Sequence, residues 1–238
     1  METGRIDNVT FALKRSKRKS LGITIERDGS VVVRAPLNRS RGEIDAFVAE
    51  KRVWIQQKLF QKEIFNRERP KREFVNGQGF LYLGKSYRLK LVDNGISKAR
   101  RLGSGTAVCL KHGYFELPKS EKKNAGKHFV SWYMVKTEKK LRERIPRYDK
   151  RIGVQVERVR VSDLGHRWAS YSRSGTISLN WRSVMAPIWV FDYILVHELA
   201  HMVERSHSKK FWGIVARVMP DYGEQVRWLN ENGADLDL

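Results

Sequence analysis

The chain has 238 residues and carries 47 Lys and Arg against 26 Asp and Glu, a formal charge of +21, with 41% hydrophobic and 11% aromatic residues. That apolar content buries a real core and excludes a disordered basic tail, and no run approaches the roughly 18 apolar residues of a membrane helix. A lone cysteine, Cys109, excludes internal disulfides and Cys-rich metal knuckles, and the first twenty residues hold no signal-peptide core, so a soluble, cytoplasmic protein is expected.

In chain order, Leu21, Ile23 and Ile25 alternate with small or polar residues, Asp28-Gly29 offers a tight turn, and Val31, Val32 and Val33 follow, which predicts a hairpin ended by Pro36. Ser40 with Glu43 three residues on forms a capping box. The helix it opens carries Ile44, Phe47, Val48, Val53, Ile55 and Leu59 and is expected to run to about Phe65. A β-rich stretch covers about Phe74–Leu117, with turns at Gly84-Lys85 and His112-Gly113. Cys109 there reads as a small apolar residue. The charged break at Lys119–Lys127 is the best candidate boundary, giving a basic, β-rich region 1–120 and a region 121–238.

Beyond the break, Phe129, Trp132, Tyr133, Val135, Leu141 and Ile145 mark a long amphipathic helix ending near Pro146–Gly153. Strands are expected over Val154–Val161 and Thr176–Trp181, with Gly175 in the turn between them. Pro187 suits the first turn of a helix running to about Glu204. Ser208 caps a helix stopped by Pro220, and a last short helix ends before Gly233. The predicted class is α+β.

The charge is uneven. Residues 1–150 hold 36 Lys and Arg and 16 Asp and Glu, whereas residues 151–238 hold 11 and 10. A field of that size concentrates polyanions, so nucleic acid or a nucleotide is a candidate partner beside the plain reading of a solubilising surface. The run Lys14–Lys19 fits either polyanion steering or strand-edge protection, and the basic region is expected to form a rim of the active cleft.

His197-Glu198-Leu199-Ala200-His201 is an H-E-x-x-H motif. Two histidines at i and i+4 share one helix face and reach one ion, while the intervening glutamate stands beside the ion's open position, where it can take a proton from water. The apolar run around the motif argues against accident, because unsatisfied imidazoles in such a helix are costly. A catalytic zinc needs a third protein ligand. His207 qualifies only if the helix stops first, which Arg205-Ser206 permits; Glu204 and Glu224 are the acidic alternatives.

The segments Arg167-Trp168-Ala169-Ser170-Tyr171-Ser172, Ile177-Ser178-Leu179-Asn180-Trp181, the H-E-x-x-H helix, and His207-Ser208 with Phe211-Trp212 resemble the YgjP-like family of metallopeptidases. The likeness extends to the N-terminal hairpin ending Val33-Arg34-Ala35-Pro36, the helix with Trp54, and Tyr82-Leu83-Gly84. Across the metal helix and His207 the chain is also similar to SprT-type and WLM-type proteases. The resemblance implies a zincin-like core, His197, His201 and His207 on Zn2+, Glu198 as base, and the Thr176–Asn180 strand beside the metal cleft. One position departs: the family's Gly-Ser-Cys is Ala169-Ser170-Tyr171 here, so neither a role of that cysteine nor the family's substrate preference transfers.

The expected function is a zinc-dependent hydrolase, a metallopeptidase acting on peptide or protein substrates. Two alternatives stand beside it: a metal-dependent nucleotide or phosphoester hydrolase, and a nucleic-acid-associated module. Arg167, Trp168, Ser178, Asn180 and Tyr222 are the candidate substrate-binding residues. Arg167 would take a carboxylate or phosphate, the Thr176–Asn180 strand would hold an extended peptide by its edge, and Tyr222 would donate to a developing oxyanion. His166 is a further candidate polar group near the cleft.

Overall fold

The structure, a computed structural model, describes residues 2–6, 9–26, 30–52, 55–56, 58–59, 72–93, 105–165, 167–172 and 174–238. Three small mixed sheets and five α-helices among these residues make the α+β class. No helix among them is long and apolar enough to cross a membrane. The chain splits into two compact units, Met1–Arg69 and Pro70–Leu238.

In the first unit, β1 (Glu2–Ile6), β2 (Val9–Ser16), β3 (Gly22–Ile25) and β4 (Val31–Pro36) form a sheet of order β1-β2-β4-β3. The expected hairpin is β3 with β4, antiparallel, Ile25 opposite Val31; its Asp28-Gly29 turn lies outside the described residues. Strands β1 and β2 were not anticipated. Their signal is the alternation of Val9, Phe11 and Leu13, all buried, on a strand parallel to β4. The Lys14–Lys19 run is partly committed to structure, since the Arg15 guanidinium donates to the carbonyls of Pro36, Leu37 and Arg39. Helix α1 (Arg41–Glu50) opens on the predicted capping box: the Glu43 N–H donates to Ser40 Oγ (3.3 Å) and the Ser40 N–H to Glu43 Oε2 (2.9 Å). Ile44, Val48 and Ile55 are buried against the sheet. Val53, Trp54 and the continuation towards Phe65 lie outside the described residues.

The second unit corrects the boundary expected near residue 120. Strands β5 (Gly79–Tyr82), β6 (Lys85–Val92), β7 (Cys109–Lys111) and β8 (Tyr114–Pro118), in order β5-β6-β8-β7, share one core with helix α2 (Ala125–Ile152). The Phe80 and Phe129 rings stack at 4.2 Å, and Phe115 meets Trp132 edge-on at 4.8 Å. Lys119–Asn124 is a 3-10 turn leading into α2; its charge marks a solvated connection inside one packed unit. Helix α2 runs through Pro146 and stops at Gly153, whose φ of 83° only glycine adopts freely.

Strand β9 (Arg158–Ser162) is shorter than expected, with Val154 and Val156 packing on the core ahead of it. The third sheet has the order β10-β11-β9, with β10 (Ala169–Tyr171) unanticipated and β11 (Thr176–Asn180) in the centre. Gly175, at φ 73°, sits in the β10–β11 turn.

Helices α3 (Ile188–Val203), α4 (Lys209–Val218) and α5 (Tyr222–Asn232) complete the unit. Two features seat α3. The β5–β6 turn docks on the 3-10 turn Trp181–Met185 before it: the Leu83 N–H donates to the Val184 carbonyl (2.8 Å) and the Gly84 N–H to that of Met185 (3.0 Å). A Cβ on Gly84 would stand 2.8 Å from Pro187 Cγ, so the close approach requires glycine. Near its N-terminal end, buried Asp192 accepts from Arg144 Nε (2.7 Å), Arg144 Nη2 and the Tyr148 hydroxyl (2.9 Å) of α2. Breaking such a buried, bidentate pair costs about 3–5 kcal/mol.

Candidate metal centre

Helix α3 carries His197 and His201 on one face and ends at Val203. Glu204 then turns extended (φ −134°, ψ 114°), which satisfies the condition His207 needed. The Ser208 hydroxyl accepts from the Phe211 N–H (3.3 Å) and starts α4, leaving His207 in the short exposed loop between the helices. The three imidazoles converge, each offering a ligand nitrogen within 4.8 Å of the others. His197 Nε2 lies 3.2 Å from His201 Nε2 and 3.0 Å from His207 Nε2.

This donor set fits a metal ion. Nitrogens at 2.0–2.1 Å on a tetrahedral zinc stand about 3.3 Å apart, close to the observed spacings. A single ring nitrogen in ordinary two-centre geometry bonds one neighbour, so hydrogen bonding does not account for both contacts of His197 Nε2. With each Nε2 facing the centre, the His197 Nδ1–H donates to the Tyr193 hydroxyl (3.4 Å) and the His201 Nδ1–H to the Glu204 carbonyl (3.2 Å). Such partners set the tautomer of a ligating histidine. Burial, then the neighbouring His201 and His207, holds His197 down at about 3, and burial also lowers His207, so both favour the neutral form that binds metal. The competing acids lie elsewhere: Glu204 accepts from the Ser206 N–H and hydroxyl, and Glu224 opens α5 outside the cluster.

Glu198 is 8% exposed. Burial pushes its carboxyl up to about 7, opposed by the charge of Arg167. It faces a cleft of about 480 Å³ together with Ala169, Ser170, Tyr171, Arg205 and the three histidines. Sequence reasoning missed Arg205 and the β10 wall. The signal for the wall was the Ala169-Ser170-Tyr171 departure, since Tyr171 lines the cleft where the family pattern has cysteine.

The other predicted substrate residues are differently placed. Arg167 is exposed, with its charge felt at Glu198. Trp168 packs partly on the core, and its carbonyl accepts from Asn180 N–H (2.8 Å). Asn180 is 1% exposed, and its amide donates to the carbonyls of Gly165 (3.1 Å) and Arg167 (3.0 Å) while its Oδ1 accepts from the Arg182 N–H. Ser178 pairs with Ser170 on one side and Arg160 on the other. The expectation that Thr176–Asn180 holds a peptide by its edge is therefore corrected: β11 has a strand on each side, and the edge facing the cleft belongs to β10. Tyr222 stacks on Trp212 at 5.2 Å and is not among the cleft-lining residues. His166 lies outside the described residues.

Among solved structures, the chain is similar to the crystal structure of the metallopeptidase zymogen of Pyrococcus abyssi abylysin, at 28% identity over 38% of this chain and 93% of that one, with a TM-score of 0.36. No curated protein matches it. The family model described as YgjP-like, metallopeptidase domain, matches residues 19–232. The chain is a member of the YgjP-like metallopeptidase family.

Proposed function

We propose that this protein is a zinc-dependent peptidase in which His197, His201 and His207 hold the ion and Glu198 is the general base. The observation that carries the reading is the convergence of three imidazole nitrogens within 4.8 Å of one another, His197 Nε2 at 3.2 and 3.0 Å from the other two, in a cleft that a buried carboxyl also lines. When bound, the zinc polarises the scissile carbonyl and makes water at its open position more acidic. Glu198 takes the proton from the attacking water and returns it to the leaving amine. Its carboxyl, lifted towards neutrality by burial, suits both transfers.

Strand β10 holds the substrate main chain. The Asn180 N–H donates to the Trp168 carbonyl and the Ser172 N–H to the Thr176 carbonyl. With Ser170 opposite Ser178, the alternation of an antiparallel ladder turns residues 168, 170 and 172 towards β11, and Ala169 and Tyr171 outward. An extended peptide adds along that outward row. Arg205, which lines the cleft, and Arg167, whose charge reaches Glu198, offer their charge to a substrate carboxylate.

Elemental analysis of the purified protein should find one zinc per chain. The zinc-loaded Glu198→Gln protein should retain the metal and lose about 10²–10⁴-fold in turnover of a peptide the native protein cleaves. Wild-type activity in that variant overturns the role of Glu198. Hydrolysis of nucleoside triphosphates but not peptides, with zinc, magnesium or manganese, overturns the peptidase reading.

A further inference from the structure

The three imidazoles are not supported alike. His197 and His201 each have a partner for Nδ1, the Tyr193 hydroxyl and the Glu204 carbonyl, and both stand on the rigid α3. His207 is exposed, sits in a loop, and has no hydrogen bond to Nδ1 among the described residues. A ligating histidine ordinarily has its ring fixed by such a bond. Here the ring instead lies against Trp212, with centroids 5.8 Å apart and planes within 27°. Trp212 is itself stacked with Tyr222, at 5.2 Å and 17°. Phe211, fully buried, forms a floor beneath all three imidazoles at 4.5–4.9 Å. Phe211 and Trp212 come from the first turn of α4, whose start Ser208 fixes one residue after His207.

We propose that Trp212, stacked with Tyr222, is a positioning residue that holds the His207 ring in its ligating orientation, replacing by stacking the hydrogen bond the other two ligands have. The inference rests on the reading of His197, His201 and His207 as the metal site. The column His207–Trp212–Tyr222 restricts ring rotation of a ligand that the loop alone leaves free, so the ordering cost is met on folding rather than on metal capture.

The test is a double-mutant cycle on zinc affinity, measured by chelator competition on the full chain. Trp212→Leu should weaken zinc binding about 10–100-fold, Trp212→Phe should restore much of it, and in a His207→Ala background the Trp212→Leu change should have little further effect. The cobalt-loaded Trp212→Leu protein should show a weaker, shifted visible ligand-field spectrum. A purely structural role predicts the opposite pattern: a lower melting temperature of the metal-free protein, with affinity per folded molecule and spectrum unchanged, and equal effects in both backgrounds. That result overturns the proposal. If Trp212→Leu does not fold, Tyr222→Leu, which removes the stacked ring and leaves Trp212, carries the same cycle. A native protein that binds no zinc refutes the metal site itself, whereas tight native binding insensitive to Trp212 and Tyr222 refutes only the stacking role.

Discussion

The side-chain amide of Asn180 donates to the Arg167 carbonyl at 3.0 Å, so a buried residue of the central strand holds the loop whose guanidinium charge reaches Glu198. The same amide donates to Gly165, and its oxygen accepts from Arg182. One side chain thus satisfies three backbone groups. Asn180→Ala leaves all three without that partner and is expected to cost about 2–4 kcal/mol in chemical denaturation. Asn180→Asp keeps the acceptor for Arg182 but sets a buried carboxylate oxygen against both carbonyls, and should cost at least as much as alanine. In each variant KM for a carboxylate-bearing peptide should rise, through displacement of Arg167. A variant with native stability and KM would show that the loop holds its shape without Asn180.

The clustering of the three histidines was more legible in the sequence than the sheet topology. The i, i+4 spacing of His197 and His201 is a local property of a helix, and the end of α3 before His207 followed from Arg205-Ser206 and the Ser208 cap. The capping box at Ser40 was local too. Which strand is an edge is a long-range property. Thr176–Asn180 alternates well, and that pattern does not tell whether one or two neighbours flank it. Strand β10 was missed because Ala169-Ser170-Tyr171 is three residues long and lacks a run of alternation. The boundary at Lys119–Lys127 failed because charge marks solvent exposure of a connection, whereas Phe80, Phe115 and Phe129, distant in sequence, decide which elements share a core. Trp212 and Tyr222 behind His207 follow the same rule, since the stack exists only once α4 and α5 are packed.

In the first unit, the Ser40 backbone and side chain, then Arg39, hold the Glu43 carboxyl below its ordinary value. A carboxyl lowered on folding contributes stability that is fully present above the unfolded value near 4.5 and is lost as pH falls through the lower folded value. Ser40→Ala should destabilise α1 by about 1 kcal/mol, read as faster hydrogen exchange at the amides of Ile44 and Val48. Glu43→Gln should also speed exchange at neutral pH, and should abolish the acid-dependent part of the loss below pH 4.5. Equal acid sensitivity in native and Glu43→Gln proteins would place the titrating group elsewhere.

Three residues competed for the third ligand position, and the geometry separates them experimentally. His207→Ala should leave two imidazoles and abolish retention of one zinc per chain after dialysis against a weak chelator. Glu224→Ala and Glu204→Ala should retain it, because neither carboxylate joins the histidine cluster and Glu204 is engaged by Ser206. Loss of zinc in Glu224→Ala with retention in His207→Ala would reverse the assignment.

The outward row of β10 allows substrate binding to be probed without touching the metal. Ala169 stands opposite Leu179 in a pair whose backbone groups point away from β11. Ala169→Pro therefore removes an N–H that faces the cleft and leaves the β10–β11 ladder with its bonds. The residue before a proline favours extended backbone, which suits Trp168 at the start of the strand. Loss of one main-chain hydrogen bond of about 0.5–1.5 kcal/mol corresponds to a KM increase of up to about tenfold, with zinc content and turnover at saturation little changed. Proline at Ser170 is the contrasting case: its N–H points into the sheet, so Ser170→Pro should lower the melting temperature as well. Equal KM in the native and Ala169→Pro proteins would mean that the peptide does not add to β10. Loss of zinc in Ala169→Pro would mean that the strand supports the metal site rather than the substrate.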